Sequence, residues 1–381
     1  MAIFQPQMAK AFGRLSGLSY CGLSLETPAV ENCPECRAAG FEVVKGSVEP
    51  FSVEMTYHNT TYQDANFWIL GELQFLDVEV HGRNASVEEA AGCFVTVRGS
   101  ANSANWVQNS MMDAVDPQIQ GCKGCGVREG YYSAYQAIVG PVTDYFDKHG
   151  CGKGQNPIWV SGHSLGGAVA HLLIAGLTGL GYTVALSYVL EPALSGNDAF
   201  RNFFVEKVAK DHPPVPAFSL TNGWDWVPRM PSDMMHGYVP IPFDIHSDPW
   251  SGSLSVCFDS LAELLPAACS PDLKSWWTVA SLTIDHTILW YAPNNHMILD
   301  NMVSEVCKAH PNRLLLAYQL TTAGVYSFMY GSGLSGFALK LNFILLFSCC
   351  SVGWCIFCCC FHCCGQPPKY QKIHPKSREM P

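Results

Sequence analysis

Charge is scarce in this chain. Asp, Glu, Lys and Arg together make up 14% of 381 residues, and 32 acids against 22 bases leave a net charge of -10. No basic stripe is present upstream of the last sixteen residues, which argues against a nucleic-acid partner, because phosphate binding depends on clustered Lys and Arg. Internal repeats and low-complexity linkers are missing over residues 1–310, so a solenoid or a string of small modules is excluded there. The opening MAIFQPQMAKAFGRLSGLSY has no sustained apolar run, and no signal peptide is read from it.

Apolar side chains and cysteine are abundant. A hydrophobic fraction of 48% over this length supports one large core of enzyme size with a short appendage. The eighteen cysteines form two groups. Eight lie between Cys349 and Cys364 in the most apolar stretch, where they read either as acylation sites or as small hydrophobes of a membrane helix. The other ten are scattered, an even number that includes the close pairs Cys33/Cys36 and Cys122/Cys125. They suggest disulfides and an oxidising compartment, with zinc as the competing reading of two CxxC pairs; no metal or cofactor is expected. Sequons at Asn59 and Asn84 agree with a secretory route.

Four regions follow. Residues 1–310 read as one catalytic domain and 311–340 as a juxtamembrane connector. Residues 341–361 carry no charge and, at 21 residues of helical rise, are long enough to span a bilayer core of about 30 Å. Residues 362–381 form a tail with cysteines and with Lys369, Lys372, Lys376 and Arg378. Such a basic tail favours the cytosol and leaves the catalytic domain outside or in a lumen. Within the first region, β-rich runs at 93–97, 157–160, 183–190 and 215–220 alternate with helical stretches at 168–177 and 199–208. That alternation predicts an α/β fold whose mostly parallel sheet is covered by helices.

Gly162-His163-Ser164-Leu165-Gly166-Gly167 stands between a predicted strand and a predicted helix and fits the nucleophile elbow G-x-S-x-G. A side chain at Gly162 or Gly166 would clash across so sharp a turn. The helix that follows aims its N-terminal dipole at the site, where negative charge develops during acyl transfer. A serine needs a base and an orienting carboxylate, in the chain order Ser, Asp, His for this fold. Asp225 follows the strand ending near Leu220, and His286 is the candidate imidazole, in competition with His246, His296 and His310. His296 follows Pro293-Asn294-Asn295 and precedes an apolar triplet, which reads as a helix start capped by Asn295.

These residues resemble the class 3 lipase family, the fungal-type triacylglycerol lipases, over most of 1–310. Val97-Arg98-Gly99-Ser100 with Asn105-Trp106 is similar to the family's F-R-G-[ST] followed by N-W. Cys122-x-x-Cys125 before Gly130-Tyr131 is similar to its C-x-x-C ahead of H-x-G-F. Glu191 to Asn197 resembles G-x-P-R-x-G-N, with Ala193 in place of the common arginine, and residues 222–231 resemble N-x-x-D-x-V-P-x-L-P. His286 with Trp290-Tyr291 is similar to the ending H-L-x-Y-F, though extra residues separate them here, and Arg128-Glu129 stands where a histidine is usual. The resemblance implies an α/β-hydrolase fold with Ser164 as nucleophile, Asp225 and His286 as its partners, and Ser100 and Leu165 as oxyanion donors. It also implies a lid carrying Trp106 and Val107, on a short amphipathic helix over 103–110 that opens at a lipid surface. Cys21–Cys307 and Cys33–Cys36 disulfides are implied in the same way.

The expected chemistry is hydrolysis of lipid carboxylic esters through an acyl-enzyme, with a membrane and a lipid ester as partners. A feruloyl or acetyl esterase acting on cell-wall sugars is the second enzyme reading. A catalytically silent adhesion or signalling ectodomain is the third, and the presence of all three triad candidates argues against it.

Overall fold

The computed structural model describes residues 5–57, 60–76, 79–80, 83–84, 91–153, 156–209, 215–222, 227–229, 237–241, 244–247, 254–257, 288–290 and 296–298. All of them belong to the unit Met1–Ser332. The connector at 311–340, the segment at 341–361 and the tail at 362–381 lie outside the described residues, as do Asn59, Asp225, His286 and Cys307. Among the described residues, no helix is long and apolar enough to cross a membrane.

Nine strands make the main sheet: β1 (Phe41–Val43), β2 (Glu49–Tyr57), β3 (Thr60–Phe75), β4 (Ala91–Val97), β5 (Ile158–His163), β6 (Val184–Leu190), β7 (Ala217–Asn222), β8 (Asp244–Ser247) and β9 (Leu254–Cys257). Their order is β1-β3-β4-β5-β6-β7-β8-β9, with β2 also paired to β3. From β4 to β8 every neighbouring pair is parallel. The edges are antiparallel, as the β2–β3 hairpin and the β8–β9 pair show. The helices that matter for the site are α1 (Pro6–Leu18), α2 (Ser103–Ser110), α3 (Glu129–Lys148), α4 (Leu165–Gly179) and α5 (Asp198–Phe203). The predicted strands at 183–190 and 215–220 are found displaced by one or two residues, as Val184–Leu190 and Ala217–Asn222.

Alternation along the strands builds a separate core on each face of the sheet. Cys93, Val95 and Val97 of β4, with Ile158 and Val160 of β5, pack with α3, α4 and α5. Phe94, Trp159 and Tyr188 point the other way and pack with Phe12 and Leu15 of α1. The same face carries a small buried polar contact, with Ser16 Oγ 3.2 Å from Thr96 Oγ1 and 3.3 Å from Ser161 Oγ. Helix α1 therefore covers the strands that lead into the nucleophile turn.

The region around His296 differs from its sequence reading. His296–Ile298 is a strand, paired antiparallel with Ile288–Trp290 so that Trp290 lies opposite His296 and Ile288 opposite Ile298. Asn295 and the apolar triplet are compatible with a capped helix locally, but the β-branched and aromatic partner across the ribbon outweighs that preference.

Disulfides join Cys33–Cys36 and Cys122–Cys125. Cys21 is disulfide-bonded too. A further bridge, Cys93–Cys151, was not singled out by spacing and ties β4 to the turn after α3 across 58 residues of sequence. Closing a loop of that length removes denatured-state entropy worth about 4 kcal/mol in the chain-entropy model. A Cys93→Ala/Cys151→Ala variant is expected to lose about 2–4 kcal/mol of stability, read as a lower urea midpoint, with a steeper slope because the unbridged denatured chain exposes more surface. A midpoint equal to wild type would show that the bridge adds nothing to the packed β4–β5 pair.

Candidate active site

Strand β5 ends at His163 and α4 begins at Leu165, so Ser164 alone makes the turn, at φ 58° and ψ -125°. Non-glycine residues rarely occupy that left-handed region, and a serine held there is strained. The turn is enforced from both sides. A methyl group at Gly162 would strike Gly166 O, and one at Gly166 would strike Val97 O, so elbow and β4 touch backbone to backbone. Ser164 N–H donates to Leu190 O at 2.9 Å, and Ser164 O accepts from Gly167 at 2.9 Å and Ala168 at 3.1 Å. Ser164 is 7% exposed at the head of the helix.

The loop after β4 lies against this turn. A methyl at Gly99 would meet the Tyr20 hydroxyl, and would sit 3.0 Å from Ser164 Cβ. Ser100, the next residue, is buried and its Oγ accepts from Asn109 Nδ2 at 2.9 Å. Leu165 opens α4, whose first N–H groups have no partner inside the helix by construction. The structure thus brings together Ser164, Leu165 and the loop holding Ser100.

Helix α2 spans the stretch expected from the sequence, but its buried side is polar. Asn105 is 1% exposed and Gln108 is fully buried. Asn105 Nδ2 donates to Ala65 O at 2.5 Å and to Gln108 Oε1 at 3.1 Å, while Gln108 Nε2 donates to Asn66 Oδ1 at 3.0 Å. A capping box at Asn102 and Asn105 fixes its start. The helix is therefore attached to β3 by amides rather than by an apolar stripe.

Beneath the elbow, the buried His163 and Glu191 form a chain with the partly buried Tyr20. His163 Nδ1 is 2.6 Å from the Tyr20 hydroxyl, and His163 Nε2 is 3.2 Å from Glu191 Oε2. Glu191 is 1% exposed and, like Ser164, has a positive φ, of 46°. Burial pushes the Tyr20 phenol well above its usual range, Arg98 opposes that and Glu191 adds to it. None of the three was singled out as functional by spacing. The available signal was Glu191 itself, an acid ending an apolar parallel strand.

His171, deeper in α4, bonds through Nδ1 to Ser195 Oγ at 3.0 Å and through Nε2 to Ser219 Oγ at 3.3 Å. Burial lowers its pKa to about 3, so the folded protein holds it neutral. With a folded pKa below the unfolded value of about 6.5, its contribution is complete above pH 6.5 and is lost as pH falls toward 3. Between pH 6.5 and 4.5 the loss is expected to be about 2–3 kcal/mol. Urea midpoints at the two pH values check this, since His171→Gln should flatten the dependence. An unchanged slope in that variant would assign acid sensitivity to other groups.

Asp225 and His286 fall outside the described residues, but their flanks are placed. Strand β7 ends three positions before Asp225, and a 3₁₀ turn, Val227–Arg229, follows two positions after it. Ile288–Trp290 begins two positions after His286 and lies beside β7. Asn84 is in the short strand Arg83–Asn84, paired with Glu79–Val80.

The model of the family described as "Lipase (class 3)" matches residues 94–235, which hold the elbow, the Ser100 loop, α2 and Asp225. Over that segment the chain is similar to the class 3 lipase family. It is 33% identical over 147 residues to the secreted mono- and diacylglycerol lipase 1 of Fusarium solani, covering 38% of this chain and 40% of that protein. It is 27% identical over 213 residues to the secreted mono- and diacylglycerol lipase A of Penicillium cyclopium, covering 55% and 57%. The chain thus spans about half the length of the curated relatives it matches. Among solved structures, the mono- and diacylglycerol lipase from Aspergillus oryzae aligns with a TM-score of 0.52 at 20% identity, over 79% of this chain and 100% of that one. Lipase II from Rhizopus niveus gives 0.52 at 18% identity, over 76% and 96%. At these identities the likeness shows the fold alone, an α/β-hydrolase.

Proposed function

We propose that this chain hydrolyses carboxylic esters of lipids through an acyl-enzyme on Ser164. The observation that carries the reading is the backbone of Ser164, strained at φ 58° between a parallel strand and a helix with the Ser100 loop packed against it. Such strain is kept where it presents a nucleophile above the sheet. In this mechanism His286 takes the Ser164 proton as its Oγ attacks the ester carbonyl. Asp225 holds the imidazole, and the N–H groups of Ser100 and Leu165 receive the oxyanion. His286 then protonates the leaving alcohol, and water, activated by the same base, releases the fatty acid.

The relatives named as mono- and diacylglycerol lipases support a partial acylglycerol as substrate. Trp106 and Val107 belong to the lid in this reading. Its opening has a defined cost, because Asn105 and Gln108 must leave Ala65 and Asn66. We also propose that the catalytic domain lies outside the cytosol, which the disulfides and the secreted relatives support, and that the uncharged stretch 341–361 crosses a membrane. Glycans at Asn59 and Asn84 would agree with that side.

A fluorophosphonate probe and two substrates test the function. The full chain is expected to take up one probe per molecule, and to release fatty acid from a monoacylglycerol emulsion faster than ferulate from ethyl ferulate. Preference for the ferulate ester would move the substrate to cell-wall sugars. A folded chain inert to the probe and to both esters would leave a hydrolase-like ectodomain without chemistry.

A further inference from the structure

We propose that Glu191, His163 and Tyr20 form a positioning relay that sets the spacing between the nucleophile and the loop carrying Ser100, an inference that rests on the hydrolase reading above. In the β5–β6 register His163 pairs with Leu190, so Ser164 and Glu191 leave the sheet side by side. Both do so with positive φ, 58° and 46°. A turn needing that conformation is ordinarily given to glycine, and a glutamate retained there is held for its side chain.

The direction of each hydrogen bond follows from Glu191. With Glu191 as the carboxylate, which only accepts, His163 Nε2 is the donor across the 3.2 Å to Glu191 Oε2. Nδ1 is then the acceptor, and the Tyr20 hydroxyl donates to it at 2.6 Å. Burial keeps that phenol protonated. The same hydroxyl lies against Gly99, one residue before Ser100. Gly99 has no Cβ, and one placed there would meet both the Tyr20 hydroxyl and Ser164 Cβ. The relay therefore ties the end of β6 to the elbow, and the elbow through Tyr20 to the oxyanion loop. These are positioning residues: they touch the residues that act, not the substrate.

Glu191→Gly and Tyr20→Phe separate this role from a structural one. Glycine relieves the backbone strain at 191, and phenylalanine keeps the ring of Tyr20. The full chain is assayed with p-nitrophenyl butyrate, by the rate of fluorophosphonate acylation and by thermal melting. Each folded single variant is expected to lose about ten- to a hundredfold in kcat and in acylation rate, with KM within about twofold of wild type. The double variant should be no worse than the poorer single, because one chain is cut twice. If Glu191→Gly does not fold, Tyr20→Phe alone decides. A folded variant with kcat within about threefold of wild type, a change in KM alone, or losses that multiply in the double variant would overturn the relay. Wild-type protein that is not acylated would sink the hydrolase reading itself, and the relay with it, whereas acylation unaltered by the variants sinks the relay alone.

Discussion

Ser164→Ala is expected to lower ester turnover by about six orders of magnitude, the loss seen when a nucleophile is removed from a complete triad. The geometry makes this substitution unusually clean. Alanine keeps the Cβ that already sits at φ 58°, so the strain of the turn is unchanged and only Oγ is lost. The backbone bonds from Ser164 to Leu190, Gly167 and Ala168 do not involve the side chain and persist. Residual hydrolysis then reflects the oxyanion loop and substrate binding alone, still about 10³–10⁴ above water. Fatty-acid release by purified variant and wild type, with thermal melts in parallel, measures the ratio, and fluorophosphonate uptake should vanish. A variant that folds as wild type and retains more than about a hundredth of the activity would place the nucleophile elsewhere.

The sheet and the elbow were legible because each rests on a local pattern. Alternation marks strands, and Gly162, Gly166 and Gly167 mark a turn that a methyl group would block. What was not legible depends on register. Glu191 matters because it leaves the sheet beside Ser164, a neighbour 27 residues away in sequence. Tyr20 and Gly99 meet only once α1 has covered the second face of the sheet. Cys93 and Cys151 bridge because β4 and the turn after α3 come together, which no spacing rule encodes. Helix α2 was found where expected, yet its buried face is amide, since Ala65 and Asn66 of β3 present polar groups that only the fold places under it. His296 shows the opposite error, in which a sound local helix signal gives way to a strand partner supplied by Ile288–Trp290.

That correction changes the ground on which His286 is preferred to His296 as the general base, and leaves the preference standing. A first helical turn would disfavour the His296 imidazolium through the helix dipole and so weaken it as a base; that ground is gone, because His296 pairs in a ribbon opposite Trp290. The argument now runs through β7. This strand lies two places from β5 in the sheet, and it ends three residues before Asp225. Ile288–Trp290, the first strand of the ribbon, lies beside β7 and starts two residues after His286. The carboxylate and the imidazole of the proposed triad thus each sit within three residues of two elements that are neighbours. His296 opens the second, antiparallel strand of the ribbon, opposite Trp290 at the end of the first. His286→Ala is expected to cut turnover by about three orders of magnitude or more. His296→Ala should keep at least about a tenth, a rise in barrier of ~1.4 kcal/mol or less. Both are read as kcat/KM on one soluble ester, with melts to show equal folding. In His286→Ala the fluorophosphonate rate should fall as well, since Ser164 has lost its base. The reverse pattern would make His296 the base, and would require the ribbon to deliver its second strand, not its first, to the neighbourhood of Asp225.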